Sequence, residues 1–463
     1  MKEIERKYLL NRSILEFLDK TSTAYKKITQ FYIKATSHKS LRFRKYGSQY
    51  YKCIKLGTGG IREENEEEVS QKVYKKNLKK CIGRSIKKIR YLFKLDRYEY
   101  SVDVYKKQLE NLYVMEVEFE SIAAYENFVL PSTLKRYVEK EVTDDEAYKN
   151  KNLALFGLPY EGSDATEKGS AHVLMQVFEK LLSDIYLYRE KILTDGDDED
   201  LHQLRIACRR SVVLMGEFRL LYEEESLLEH RAGLKNLINI SNTKRDMDVL
   251  ISELTKIEGE REVSRYQEAL ELLEDRVEKI VQKEHASIIT YLQSKTCTNV
   301  LMEWKNYITN RNRTNISIYG RYPIDSLSKY VIFQRFLKIK KRIKLLDPKH
   351  DASETLHKLR IEYKKMRYLL ESFGYLYEKK EIKKLLKEMK KLQNVLGLFH
   401  DSHQQKMIFE GLVETEENER VQVCIKEILL SGLKAYQKKE ILEIQKLLNR
   451  FLKKEKAYRQ IFA

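Results

Sequence analysis

The hydrophobic period changes once along the chain, and that change limits the fold more than any other feature. Up to about residue 156, apolar and polar residues alternate in twos, as in Leu41-Arg42-Phe43-Arg44 and Val102-Asp103-Val104, with glycine-containing turns between the runs. From about Gly169 onward the apolar residues recur every three or four positions, in long runs interrupted only by Pro323 and Pro348. The fold class expected is α+β in two domains: antiparallel strands over 1–158, a linker rich in Gly and polar residues over 159–169, and helices over 170–463. At 463 residues the chain exceeds what a single core serves, which fits that division.

No run approaches the roughly 18 apolar residues of a membrane span, and Met1-Lys2-Glu3-Ile4-Glu5-Arg6-Lys7 lacks the apolar core of a signal peptide. The five cysteines are scattered without a CxxC spacing, which excludes a disulfide framework or thiolate zinc site as the organising principle. A cytoplasmic protein without a membrane partner is expected. Net charge is +18, so an anionic partner is favoured. Residues 1–160 carry 33 Lys/Arg against 22 Asp/Glu, whereas the other 303 carry 55 against 48; clustering, not bulk charge, must decide what the helical part binds.

In a strand, residues i and i+2 share a face, so Glu3, Glu5 and Lys7 project together. The same holds for Arg42 with Arg44, Cys53 with Lys55, Arg62 with Glu64 and Glu66, Lys88 with Arg90, and Glu116 with Glu118, while Asp103 sits between two valines. Any one of these could be the wet face of an ordinary sheet. Seven in succession, one of them with two carboxylates in the strongly apolar run Tyr113-Val114-Met115-Glu116-Val117-Glu118-Phe119, point to a closed barrel with a charged interior. Such an interior suits phosphoryl chemistry, with cations on phosphate oxygens and carboxylates holding a divalent metal. Oxygen donors favour Mg²⁺ or Mn²⁺ over zinc.

These residues resemble, in order, the CYTH family of triphosphate tunnel metalloenzymes: the E-x-E-x-K signature at Glu3, Glu5 and Lys7, R-x-R at Arg42 and Arg44, and Cys53-Ile-Lys55 in place of T-I-K. Arg62, Glu64 and Glu66, then Lys88-Ile-Arg90-Tyr91, Asp103, Glu116-Val-Glu118 and Glu141-Val-Thr143-Asp144 continue the match. The resemblance implies an eight-stranded antiparallel tunnel with peripheral helices, acting with Mg²⁺ or Mn²⁺ on inorganic triphosphate or another triphosphate. It implies catalytic roles for Glu3, Glu5, Lys7, Lys55, Glu64 and Glu66, and substrate contacts from Arg42, Arg44, Lys55, Arg62, Lys88 and Arg90. The metal ligands it implies are Glu3, Glu5, Asp103, Glu116 and Glu118. Phe31 stands where the family usually has glycine, which is expected to narrow or reshape the tunnel mouth.

The helical half repeats itself at an offset of 155 residues: His202-Gln-Leu-Arg205-Ile-Ala-Cys-Arg209-Arg210 recurs as His357-Lys-Leu-Arg360-Ile-Glu-Tyr-Lys364-Lys365, and Asp246 maps onto Asp401. On a helix, His202, Arg205 and Arg209 fall in one stripe, and His357, Arg360, Lys364 and Arg367 in another. Leu201, Leu204, Cys208 and Met215 form the adjacent core face. Basic clusters at 335–344 and 379–391 read equally as solvated helix faces or as extensions of the stripes. This half resembles the CHAD family, whose H-x-x-R-x-x-x-[RK]-[RK] motif is matched at His202 and His357. That resemblance implies two pseudo-symmetric four-helix bundles binding inorganic polyphosphate through His202, Arg205, Arg209, Arg210, His357, Arg360, Lys364, Lys365 and Arg367, and association with polyphosphate granules. The competing functions are an adenylate cyclase of the CYTH type and a non-catalytic polyphosphate-targeting protein. A nucleic-acid partner is disfavoured by the lack of any RNA- or DNA-binding motif.

Overall fold

Most of the strands form where β-branched and aromatic residues alternate with charged ones. The computed structural model describes residues 4–462 except 22–23, 37–38, 57–62, 223–225, 259–265, 311–315, 347–352 and 416–417. The chain divides into two compact units, one of residues 1–172, 318–330 and 462–463, the other of 173–317 and 331–461.

The first unit is built on β1 (Ile4–Leu10), α1 (Ile14–Lys20), β2 (Ala24–Ala35), β3 (Lys39–Tyr46), β4 (Gln49–Leu56), β5 (Glu63–Glu68) and α2 (Gln71–Leu78). There follow β6 (Ile82–Leu95), β7 (Tyr98–Lys106), β8 (Tyr113–Phe119), α3 (Ile122–Glu126), α4 (Ser132–Lys135), β9 (Val138–Glu141), α5 (Asn150–Phe156) and α6 (Gly162–Lys168). The strands pair antiparallel in the order β5-β4-β3-β2-β6-β7-β8-β1-β9. Where eight strands and closure are expected, there are nine, and pairing among the described residues leaves β5 and β9 as edges; the extra strand is the four-residue β9, added alongside Tyr8–Leu10 of β1. Helix α6 occupies most of the expected linker.

Register sorts the side chains into two faces, because directly opposed residues of an antiparallel pair project to the same side. One face is apolar: Tyr8, Leu10, Tyr100, Val102, Met115, Val117 and Phe119 pack with Ile14 and Leu18 of α1 and Leu134 of α4. Further along it, Phe31 stacks on Phe43, with ring centroids 5.5 Å apart, and meets Tyr74 of α2 edge-on at 5.1 Å. Phe31 is therefore fully buried on the apolar side and does not enter the charged face. Gly83 has φ +66°, and a Cβ there would lie 2.4 Å from the carbonyl oxygen of Ala154, so only glycine lets α5 approach β6 at this point.

Residues 318–330 belong to this unit although they lie far along the chain. Arg321 pairs with Asp145 at 2.9 Å and with Glu161; Tyr322 is buried and donates its hydroxyl to the carbonyl of Ala147 at 3.0 Å.

The second unit comprises α7 (Ser170–Thr194), α8 (Asp198–Glu217), α9 (Ser226–Ile240), α10 (Asn242–Glu258), α11 (Gln267–Gln293) and α12 (Lys295–Thr309). The second half supplies α13 (Ile324–Lys344), whose residues 324–330 belong to the first unit, α14 (Ser353–Phe373), α15 (Lys379–Thr415), α16 (Glu419–Cys424), α17 (Ser431–Lys453) and α18 (Glu455–Phe462). Helices α8 and α14 begin 155 residues apart, as the repeat requires. Asp197 and Asp200 cap α8 reciprocally, and three acidic residues in its first turn complement the helix dipole. Aromatic cores mark the two halves, Phe178 against Trp304 in one, Phe336 with Phe451 and Tyr458 in the other. Among the described residues no helix is long and apolar enough to cross a membrane.

Candidate functional site

The opposed pairs Glu5/Glu118, Lys7/Glu116, Arg90/Asp103, Arg42/Cys53, Cys53/Glu66 and Lys55/Glu64 place the charged side chains of seven strands on the second face of the sheet. They form two networks. In the first, Lys7 bridges Glu5 and Glu116, each at 3.0 Å, Arg90 joins Glu116 at 2.6 Å to Asp103 Oδ2 at 2.6 Å, and Lys88 pairs with that same Oδ2. In the second, Arg44 meets Glu66 at 2.7 Å, Arg42 spans Glu64 and Glu66 at 3.4 and 3.7 Å, and Lys55 contacts Glu64 at 2.5 Å. Glu3 and Arg62 lie outside the described residues.

Burial makes these charges interdependent. Asp103 is 0%, Lys88 4% and Glu116 7% exposed, values at which an unpaired charge would be prohibitive. Burial opposes ionisation of Glu116, yet Lys7, Arg90 and Lys88 outweigh it and hold the carboxyl far below its ordinary value. Burial likewise opposes the charge of Lys7, and Glu116 with Glu5 reverses the balance, raising the ammonium. For Lys88 burial prevails over Asp103, so its ammonium is pulled down. Burial pushes the Cys53 thiol up to about 11, so it is no thiolate nucleophile at neutral pH.

Glu5 and Glu118 stand side by side across β1 and β8, an oxygen-only donor pair of the kind a hard divalent cation takes. Both oxygens of Asp103 and both of Glu116 are engaged by cations. Among the described residues no three His, Cys, Asp or Glu side chains are grouped to hold a metal ion. Tyr32 is a member of this face that the charge pattern does not reveal: it lies opposite Arg42, is 4% exposed, and its phenol is raised by burial. Its signal was the period-two position shared with Gln30, itself buried.

In the second unit the two basic stripes are brought together. Arg209 of α8 lies close enough to Arg360 and Lys364 of α14 to depress both cations, with burial the larger cause in each; Lys364 is lowered to about 7. Arg360 pairs with Asp401 at 3.6 Å, and His357 Nδ1 lies 3.2 Å from His400 Nδ1. Burial and the neighbouring cations pull both rings down, His400 to about 3, so these histidines are neutral at pH 7. His202 is lowered by burial and by Arg245, Arg209 and Arg205, against Glu199.

Other expected members serve differently. Arg205 is 5% exposed and ties α8 to the α9–α10 junction through Ile238 O at 3.0 Å, Asn242 Oδ1 at 2.9 Å and the Ser241 hydroxyl. Arg210 and Arg367 share Glu371, at 2.8 and 3.1 Å, and Lys365 faces a different set of neighbours altogether. Arg245, absent from the sequence-derived set, bears on His202, Arg205, Asp246 and Asp401; its place beside Asp246 in the repeated motif was the available signal.

The model of the CHAD domain matches residues 176–409, half of the chain. The chain belongs to the CHAD domain family. Ahead of the CHAD domain, the N-terminal region is of the CYTH type. It is 33% identical over 156 residues to an inorganic triphosphatase of Nitrosomonas europaea, covering 34% of this chain and 98% of that protein. An inorganic triphosphatase of Acetivibrio thermocellus is 30% identical over 154 residues, covering 33% of this chain and 92% of the relative. The crystal structure of the CHAD domain from the plant Ricinus communis aligns with 61% of this chain and 92% of its own, with a TM-score of 0.52 at 19% identity, a likeness of fold.

Proposed function

We propose that the charged face of the CYTH unit hydrolyses inorganic triphosphate with Mg²⁺ or Mn²⁺, and that the CHAD unit binds inorganic polyphosphate. The observation that carries the first part is the convergence of Lys7, Arg42, Arg44, Lys55, Lys88 and Arg90 with Glu5, Glu64, Glu66, Asp103, Glu116 and Glu118 on one face. Arg42, Arg44 and Lys55 face carboxylates of the edge strand β5, so a phosphate chain entering there exchanges Glu64 and Glu66 for its own oxygens. Arginine's planar fork suits that exchange. Lys88 and Arg90, fixed by Asp103, need no rearrangement to stabilise charge developing on the phosphates. Glu5 and Glu118, with Glu3, would hold the metal, which when bound neutralises phosphate oxygens and lowers the pKa of water. Glu116 keeps Lys7 and Arg90 in place.

In the CHAD unit, Arg209, Arg360 and Lys364 converge from α8 and α14, and a flexible polyanion touching both helices gains from multivalency.

The test is release of phosphate from inorganic triphosphate, ATP and thiamine triphosphate with Mg²⁺ or Mn²⁺, with the products of ATP identified. Triphosphate hydrolysis lost in Glu118→Gln, and polyphosphate binding lost in the double variant Arg209→Glu, Lys364→Glu, are expected. Cyclic AMP from ATP would replace the hydrolase reading, and unchanged metal-dependent turnover in Glu118→Gln would remove it.

A further inference from the structure

The cations of α14 divide between two sides of the helix. Lys364 belongs with Arg360, Arg209 and Asp401, whereas Lys365, the next residue, faces Arg335 and Arg342 of α13, Glu217 of α8 and Arg231 of α9. The two neighbour sets share no residue. Around Lys365 the carboxylates are already committed: Arg335, 8% exposed, is clamped between Glu217 and Glu362, and Lys338 and Arg342 both reach the single oxygen Oε1 of Glu362 at 3.4 Å. Arg231 gives its Nε–H to the carbonyl of Val212 at 3.1 Å. Lys365 makes no hydrogen bond or ion pair among the described residues.

Five cations thus surround two carboxylates, one of which is 3% exposed. Burial and like charges pull Lys338 and Lys365 below the ordinary lysine range, so holding these cations together costs free energy that a bound anion would return. Guanidinium and ammonium donors converging from different helices fit tetrahedral, multiply charged oxygen acceptors better than a carboxylate or chloride. Lys338 keeps half its side chain in solvent, which leaves the cluster accessible.

We propose a second anion site, separate from the stripe of Arg209, Arg360 and Lys364, in which Lys365, Lys338 and Arg342 hold a phosphate group. The group belongs to either a small free phosphoanion or a phosphate chain. The proposal does not depend on polyphosphate binding at the stripe.

Residue-resolved acetylation tests it in the full-length chain, because only neutral amines react and Lys364 and Lys365 are both held below the ordinary lysine range. Labelling is followed by peptide mass spectrometry with no anion, with pyrophosphate, and with long-chain polyphosphate. At an anion concentration about ten times its half-saturation value, only about a tenth of the sites stay free, so acetylation of Lys365 should slow about ten-fold. Protection should persist in the variant Arg360→Gln, Lys364→Gln and vanish in Lys338→Gln, Arg342→Gln, in which Lys364 is labelled as in the parent chain and the helical circular dichroism is unchanged. Protection by pyrophosphate identifies the small anion as sufficient; protection by polyphosphate alone identifies the chain. No protection by either anion, protection lost with the stripe, or protection surviving Lys338→Gln, Arg342→Gln overturns the site.

Discussion

Replacing Glu116 by glutamine keeps the shape of the side chain and removes one charge from the most enclosed part of the CYTH face. In the parent chain that carboxylate touches Lys7 at 3.0 Å and Arg90 at 2.6 Å and is 7% exposed. The variant leaves two largely buried cations sharing Glu5 and Asp103, the situation in which breaking a buried pair costs roughly 3–5 kcal/mol. For a unit of this size each kcal/mol is about 2–4 °C in midpoint, so a fall of roughly 6–20 °C is expected at pH 7. Trp304, the only tryptophan, lies in the helical unit, so its fluorescence marks that unit's transition, and the calorimetric transition without it reports the strands. The pH dependence supplies a control. Glu116 is held below the ordinary value of 4.5, so its stabilisation is complete above that value and is lost as pH falls from there towards the folded-state pKa. The gap between parent and variant should therefore narrow below about pH 4.5. Equal midpoints at pH 7, or a gap that widens on acidification, would show that the Lys7–Glu116–Arg90 bridge does not stabilise the unit.

Three further outcomes are expected. Lys364, lowered to about 7 by burial and then by Arg360 and Arg209, against Asp401, gains its proton as pH falls from 8 to 6; polyphosphate affinity measured by titration should rise over that interval, and Lys364→Met should flatten the rise. Arg321→Ala removes the ties to Asp145 and Glu161, and the strand-unit transition should drop by a few degrees, corresponding to about 1–3 kcal/mol, while Trp304 fluorescence reports no change. Phe31→Gly restores the residue usual in the family but empties a fully buried site between Phe43 and Tyr74, so it should cost about 3–5 kcal/mol in denaturant unfolding and leave the KM for triphosphate unaltered.

How much of this could be read in advance depends on whether a property is local or collective. Period-two spacing placed Arg42 with Arg44 and Glu116 with Glu118 on common faces, because side-chain direction in a strand follows from backbone geometry alone. The 155-residue repeat likewise located the paired motifs on α8 and α14, since duplication survives in the residue order. Phe31 shows the limit: beside Gln30 and Tyr32 it looked like an obstruction in the tunnel, yet alternation sends it to the apolar face, where Phe43 and Tyr74 surround it.

Two matters lay beyond any reading of the sequence. Residues 318–330 join the strand unit because Arg321 and Tyr322 find Asp145, Glu161 and the carbonyl of Ala147, partners more than 150 residues earlier that no periodicity encodes. The cations of the H-x-x-R motif, uniform on paper, part company once helices pack: Arg205 turns inward to the backbone of Ile238, Arg210 to Glu371, Lys365 to α13, and Arg209 with Lys364 remains in the shared stripe. The sequence by itself determined which residues are charged and which face of an element they occupy. Tertiary structure decided which of those charges are neutralised within the protein and which stay available to an anion, because a charge's partners are set by elements that meet only after folding.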